Sequence, residues 1–276
     1  MSKVKIYTYS HNRPDFIQLQ YETIKRHVKN DYEFIVFNNE RPGGDGGFDE
    51  SKIGEISNIC KDIGVKCIRV ELDPELQHLN GVKMFDSNNY TNGNNACAYS
   101  FTWGWKNYIV KNKCLSIIID SDMFFIKDID LIDEMKDYNF AFVPSYRYHE
   151  QYKSPENPGK IAFKYPWNGI IFAKPHELPN PKEISWGCGY VNNIATDVGG
   201  EVYYYLEKYK DQIKERYIDQ WGVLIDIEPP FEVNYSGCGQ MFANFDKGEV
   251  EIRDYQESNF RTFPHQTQRE NYWEYA

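Results

Sequence analysis

The chain has 276 residues, 41% hydrophobic and 16% aromatic, with 41 acidic against 31 basic side chains and a formal net charge of −10. That length can bury a large core, and the lack of repeats or low-complexity tracts argues for a folded globular protein rather than a disordered one. The acidic balance excludes a nucleic-acid duplex as partner, because such binding rests on clustered Lys and Arg neutralising phosphates.

The opening MSKVKIYTYS is strand-like and carries no apolar leader region. No run approaches the ~18 apolar residues of a spanning helix, so the expectation is a soluble, cytoplasmic chain with no transmembrane segment. Six cysteines (Cys60, Cys67, Cys97, Cys114, Cys188, Cys238) lack paired metal spacing and are expected as reduced thiols. Residues Val4 to Tyr9 form a first strand, and Asp15 to His27 a helix with Phe16, Leu19 and Ile24 at helical spacing. Tyr32 to Phe37 is a second strand. The glycine-rich Pro42 to Gly47 reads as a loop, because it lacks the Gly-Lys-Ser/Thr ending of a phosphate-binding P-loop. Ile53 to Ile63 is helical, Val65 to Glu71 a third strand, and Ser87 to Asn95 a loop leading into a helix over Ala96 to Lys111.

Next comes Leu115 to Ile126, an apolar strand interrupted by Asp120 and Asp122. Residues two apart on a strand project to one side, so this pair can grip one hard cation, and in an open α/β sheet the carboxyl ends of strands are where ligands bind. The alternative is that aspartates simply end a strand at a turn. A second pair, Asp128 and Asp130, precedes Leu131 to Met135 and reads as turn or helix N-cap residues. Alternation of strands and helices up to Ile119 predicts an α/β fold with a mostly parallel sheet covered on both faces. The second half is less regular: strands at Phe140 to Pro144 and Asn168 to Ala173, a helix over Gly200 to Tyr217, then a loop-rich segment with an aromatic tail.

Several ordered motifs resemble the GT-A-fold glycosyltransferases of the nucleotide-diphospho-sugar transferase superfamily. They are Tyr7-Thr8-Tyr9-Ser10 followed by His11-Asn12-Arg13-Pro14, Phe37-Asn38-Asn39, Asp120-Ser121-Asp122, Pro166-Trp167-Asn168-Gly169, Asp197-Val198-Gly199-Gly200-Glu201, and His265 with Trp273. The resemblance implies one Rossmann-like domain over 1–276, with residues 1–130 as the nucleotide-sugar half and 131–276 as the acceptor half and C-terminal wrap. It implies a donor site at Thr8, Tyr9, Arg13, Asn38, Asp120 and Ser121. Tyr9 would stack on the base, Asn38 or Asn39 would read its edge, and Arg13 would bond phosphate or ribose. Mn²⁺ or Mg²⁺ would be held by Asp120, Asp122 and His265, Asp197 would be the catalytic base, and Trp167, Asn168, Gly169 and Trp186 would line the site of a glycan or other hydroxyl acceptor.

Each residue also has a plainer reading: Tyr9 and the tryptophans as core, Asn38 and Asn39 as turn formers, Arg13 as a surface ion pair, Asp197 as a helix N-cap, and His265 as a packed or surface residue. Inversion at the sugar is favoured, although Asp219-Gln220 resembles a pair seen in some retaining members. The competing readings are a haloacid-dehalogenase-like phosphatase, which also places Asp-x-Asp after an apolar strand, and an inactive sugar-binding module.

Overall fold

A computed structural model of the chain describes residues 3–11, 14–40, 54–71, 73, 76, 93–121, 123–125, 128–148, 161–218, 224–225 and 260–262. Strands and helices alternate through the first half as β1 (Val4–Ser10), α1 (Ile17–His27), β2 (Tyr32–Asn38), α2 (Glu55–Asp62), β3 (Lys66–Arg69), α3 (Gly93–Asn107) and β4 (Ser116–Asp120). There follow β5 (Met123–Phe125), α4 (Leu131–Glu134), β6 (Phe140–Tyr148) and β7 (Ile161–Ala173). The hairpin of β8 (Gly189–Val191) and β9 (Ile194–Thr196), then α5 (Val202–Tyr209), β10 (Glu215–Ile218), β11 (Leu224–Ile225) and β12 (Phe260–Thr262) complete the order.

The main sheet runs β11-β10-β6-β7-β4-β1-β2-β3. Pairings β1–β2, β2–β3, β1–β4 and β6–β10 are parallel, while β4–β7, β6–β7 and β10–β11 are antiparallel. This is the expected α/β class, a mainly parallel sheet with helices on both faces. On one face, α3 and α5 bury Tyr99, Phe101, Trp105, Tyr205 and Leu206 against Tyr7, Tyr9 and Phe37. On the other, α1 and α2 bury Ile17, Ile24, Ile56 and Cys60 against Ile6, Val36, Ile117 and Ile119. Strand side chains alternate between these two apolar layers, which is why β1 and β4 read as nearly unbroken hydrophobic runs.

Local chemistry fixes several ends. Asp130 is the N-cap of α4, its carboxylate accepting from Asp133 N at 3.0 Å, as its position before Leu131 suggested. The buried Glu40 carboxylate accepts from Gly54 N and Ile56 N at 3.2 and 3.1 Å, satisfying donors at the start of α2. Asn192 and Asn193, at φ 51° and 64°, make the two-residue turn of the β8–β9 hairpin.

Two expectations need correction. The helix placed over Gly200 to Tyr217 stops at Tyr209, and Glu215–Ile218 is a strand lying parallel to β6. Val202, Tyr205, Leu206 and Tyr209 form the true buried stripe, and the continuing spacing of Ile213 and Tyr217 is coincidence overruled by strand pairing. The strand placed at Asn168 to Ala173 begins at Ile161, because β6 extends to Tyr148 and pairs with it along that length. Among the described residues no helix is long and apolar enough to cross a membrane, and Cys60, Cys67, Cys97, Cys114 and Cys188 are free thiols.

Candidate functional site

β1 lies between β2 and β4, so the chain leaves β1 on one side for β2 and β3 and returns on the other as β4. All of these strands are parallel, and the register places Tyr9 of β1 beside Asp120 of β4 at their carboxyl ends. A crevice outside such a reversal is where open α/β sheets bind ligands. Asp120 is half-buried there, and its Oδ1 accepts from Ser121 N at 2.8 Å.

Asp197 reaches the same region from the second half. It opens a turn in which Gly200 N donates to Asp197 O at 3.0 Å and Val198 N donates to Asp197 Oδ1 at 2.7 Å. Asp197 N in turn donates to Tyr165 Oη at 3.2 Å. Gly199, at φ 90°, lets this turn press on β7: a Cβ there would meet Pro166 O at 2.4 Å. Asp197 is therefore a turn residue rather than the N-cap of α5, a position taken by Glu201.

The charges of both carboxylates are felt at Cys97 of α3. Its partly buried thiol is pushed well above the ordinary range, first by burial and then by the negative charges of Asp120 and Asp197. Asn168 Nδ2 donates to Cys97 Sγ at 3.5 Å. Cys188 is also raised, by burial first and then by Asp197. The site thus gathers Asp120, Asp197, Asn168, Cys97 and Cys188. The sequence reading missed the two cysteines, since neither lies in a spacing that signals chemistry.

Asn168 arrives through an irregularity in β7. Between Phe142 and Pro144 of β6 the partners jump from Ile171 to Pro166, so β7 carries three extra residues there. Such a bulge breaks the two-residue alternation and re-aims side chains. Asn168 turns toward Cys97 on the α3 side, while Trp167 packs on the α1 side and its indole lies over Gly169.

Other expected site residues are placed elsewhere. Tyr9 is buried between Phe37 and Phe101, at ring-centroid distances of 4.9 and 4.4 Å, and cannot also stack on a base. Thr8 is fully buried within the sheet. Asn38 has its amide committed: Nδ2 donates to Glu40 Oε2 and Ser57 Oγ, and Oδ1 accepts from Glu40 N and Arg69 Nη1. Those four bonds exhaust an amide's capacity, so Asn38 holds the β2–α2 junction instead of reading a base. Trp186 is fully buried against Phe101 and Trp105, and Trp167 and Asn168 point to opposite faces, so these three do not line one acceptor pocket. Gly169 makes room for the Trp167 ring. Arg13, Asp122 and His265, with Trp273, Asp219, Gln220 and Pro42 to Gly47, lie outside the described residues.

Among the described residues no group of three or more His, Cys, Asp or Glu could hold a metal ion. Of the three residues expected to hold a metal, Asp120 alone lies among the described residues. The strand β12 pairs antiparallel with β5, Thr262 opposite Met123.

Compared with solved structures, the chain is similar to the mannosyltransferase Ktr4p from S. cerevisiae, with 14% identity and a TM-score of 0.40 over 66% of this chain and 58% of that one. A Ktr4p complex with GDP gives 16% identity and a TM-score of 0.39. The galactosyltransferase LgtC, in complex with donor and acceptor sugar analogs, gives 11% identity and a TM-score of 0.42 over 98% of this chain and 94% of that one. All of these are glycosyltransferases. At such identities and scores the likeness assigns no role to any residue of this chain. No family model and no curated protein matches the sequence.

Proposed function

We propose that this protein is a metal-dependent glycosyltransferase that moves a sugar from a nucleotide-diphosphate donor to a carbohydrate or other hydroxyl acceptor. The observation that carries the reading is Asp120 at the carboxyl end of β4, beside β1, where the strand order reverses. Asp197, whose negative charge acts on Cys97 together with that of Asp120, supports the reading as the second carboxylate that a transfer site needs.

In this reading Asp120 and Asp122, with His265, would hold Mn²⁺ or Mg²⁺, and Ser121 lies between the two aspartates in sequence. When bound, the ion supplies Lewis-acid stabilisation of the charge developing on the leaving nucleoside diphosphate. Asp197 accepts the proton of the acceptor hydroxyl as its oxygen bonds to the anomeric carbon, and the bond from that carbon to the diphosphate oxygen breaks. Attack from the face opposite the leaving group inverts the anomeric centre.

The test is thermal unfolding with UDP, GDP, CDP and dTDP, each with and without Mn²⁺. A site-directed ligand at ~100 times its dissociation constant stabilises by about 2.7 kcal/mol. A rise that needs nucleotide and metal together is expected, and it names the base. No rise with any nucleotide would remove the reading in favour of a phosphatase or a sugar-binding module. The anomeric configuration of the product then decides inversion against retention.

A further inference from the structure

Gln20 sits on α1 in the stripe that buries Ile17, Thr23 and Ile24, and it has no exposed surface. An amide on that face is out of pattern, and its bonds explain it. Nε2 donates to Asp120 O at 2.7 Å and to Met123 O at 3.0 Å, across about a hundred residues of sequence. These carbonyls belong to the last residue of β4 and the first of β5, and one nitrogen holds both. Carbonyl oxygens only accept, so the orientation of the amide is fixed by its partners. Its own Oε1 is buried with no hydrogen-bond partner among the described residues, a cost that a methionine or leucine at this place would avoid. The two donors are the evident return for that cost.

We propose that Gln20 is a positioning residue for Asp120. By tying both carbonyls to one atom of a buried helix, it fixes the end of β4 against the start of β5 and the direction in which the Asp120 carboxylate leaves β4. Ser121 N, from the next residue, fixes Asp120 Oδ1. The consequence for ligand binding rests on the glycosyltransferase reading; the tie itself does not.

The experiment compares Gln20→Met, of equal length without donors, and Gln20→Glu, of equal shape with a carboxyl group. Two readouts are taken: hydrogen exchange of the peptide 119–125 in the free protein, and calorimetric affinity for Mn²⁺ with each of the four nucleoside diphosphates. Gln20→Met is expected to fold, to exchange faster in this peptide but not elsewhere in the sheet, and to bind the metal-nucleotide pair at least tenfold more weakly. Gln20→Glu is expected to be as weak at pH 8. At pH 5.5 it should recover part of the loss relative to wild type at the same pH, because a buried carboxyl facing two carbonyls is driven neutral and regains one donor. A residue that merely fills space would give no such pH-dependent recovery.

Unchanged exchange at 119–125 in Gln20→Met, or in Gln20→Glu at pH 8 should the first variant not fold, overturns the positioning role. Faster exchange with unchanged affinity removes its consequence for the ligand. Failure of wild type to bind any nucleotide with Mn²⁺ removes the functional reading instead, and the exchange result still decides the tie.

Discussion

Replacing Gly169 by alanine tests whether the β7 bulge is built around the Trp167 ring. Gly169 does not have a left-handed φ, so alanine strains no backbone dihedral there. Elsewhere such a change stabilises by about 0.4–1 kcal/mol, through a less mobile unfolded chain. Here the new Cβ would lie 1.4, 1.8 and 2.2 Å from three atoms of the Trp167 indole, where ordinary contact begins near 3.4 Å. The ring must move by about 2 Å, and overpacking of that kind costs about 1–3 kcal/mol. In a domain of this size each kcal/mol lowers Tm by about 2–4 °C, so a fall of roughly 4–8 °C is expected for a central cost of about 2 kcal/mol. Trp167→Ala alone should cost about 2 kcal/mol, half the usual loss for a fully buried tryptophan, since the ring is only partly buried. In the double variant the methyl added at position 169 occupies space vacated by the indole, and the pair should be no less stable than Trp167→Ala. Denaturant unfolding of all four proteins gives the coupling, expected at about 2 kcal/mol. Additive losses, or a Gly169→Ala protein more stable than wild type, would refute the arrangement.

Replacing Asp122 by alanine should abolish sugar transfer while leaving the fold intact; full turnover at saturating Mn²⁺ would sink the metal assignment. Asp197→Asn is expected to lose transfer yet keep nucleotide binding, so kcat falls without a matching change in donor affinity. An unchanged rate removes Asp197 as the base. Away from the site, Cys67 has its pKa lowered to about 7, chiefly by a hydrogen bond from Cys60 and then by Ser57 and Asn38. It is therefore mostly thiolate above pH 7, and alkylation by iodoacetamide, mapped by mass spectrometry, should rise to half its maximum near that pH. Cys60→Ala should move this midpoint upward; a midpoint already near 8.5 in wild type would contradict the hydrogen-bonded pair.

How much of the site could be read from the sequence differs residue by residue. Asp120 stands out because a carboxylate ending an apolar strand is a local pattern, and its place beside β1 follows from the alternation of strands and helices. Asp197 is visible as an acid before a glycine pair, but nothing local says that its charge acts on the same thiol as that of Asp120. Gln20 leaves a trace, a polar side chain on the apolar stripe of α1, with nothing local to say which carbonyls it holds. Cys97 leaves none.

The errors share one cause. Tyr9, Thr8 and Trp186 are chemically suited to a ligand, and only packing decides that Tyr9 and Trp186 are enclosed by other rings and Thr8 by the sheet. Asn38 is a plausible reader of a base until Glu40, Ser57 and Arg69 occupy all its bonds. The helix expected to run to Tyr217 fails because β10 finds β6, a partner some seventy residues earlier. Periodicity, caps and turn residues act between near neighbours, and through them the sequence by itself determines the α/β class, the order of the first seven elements and Asp120 at the end of β4. The bulge that turns Asn168 toward Cys97, the tie from Gln20 and the action of both Asp120 and Asp197 on Cys97 are decided by the tertiary structure alone, because each joins groups whose separation in sequence carries no periodic signal.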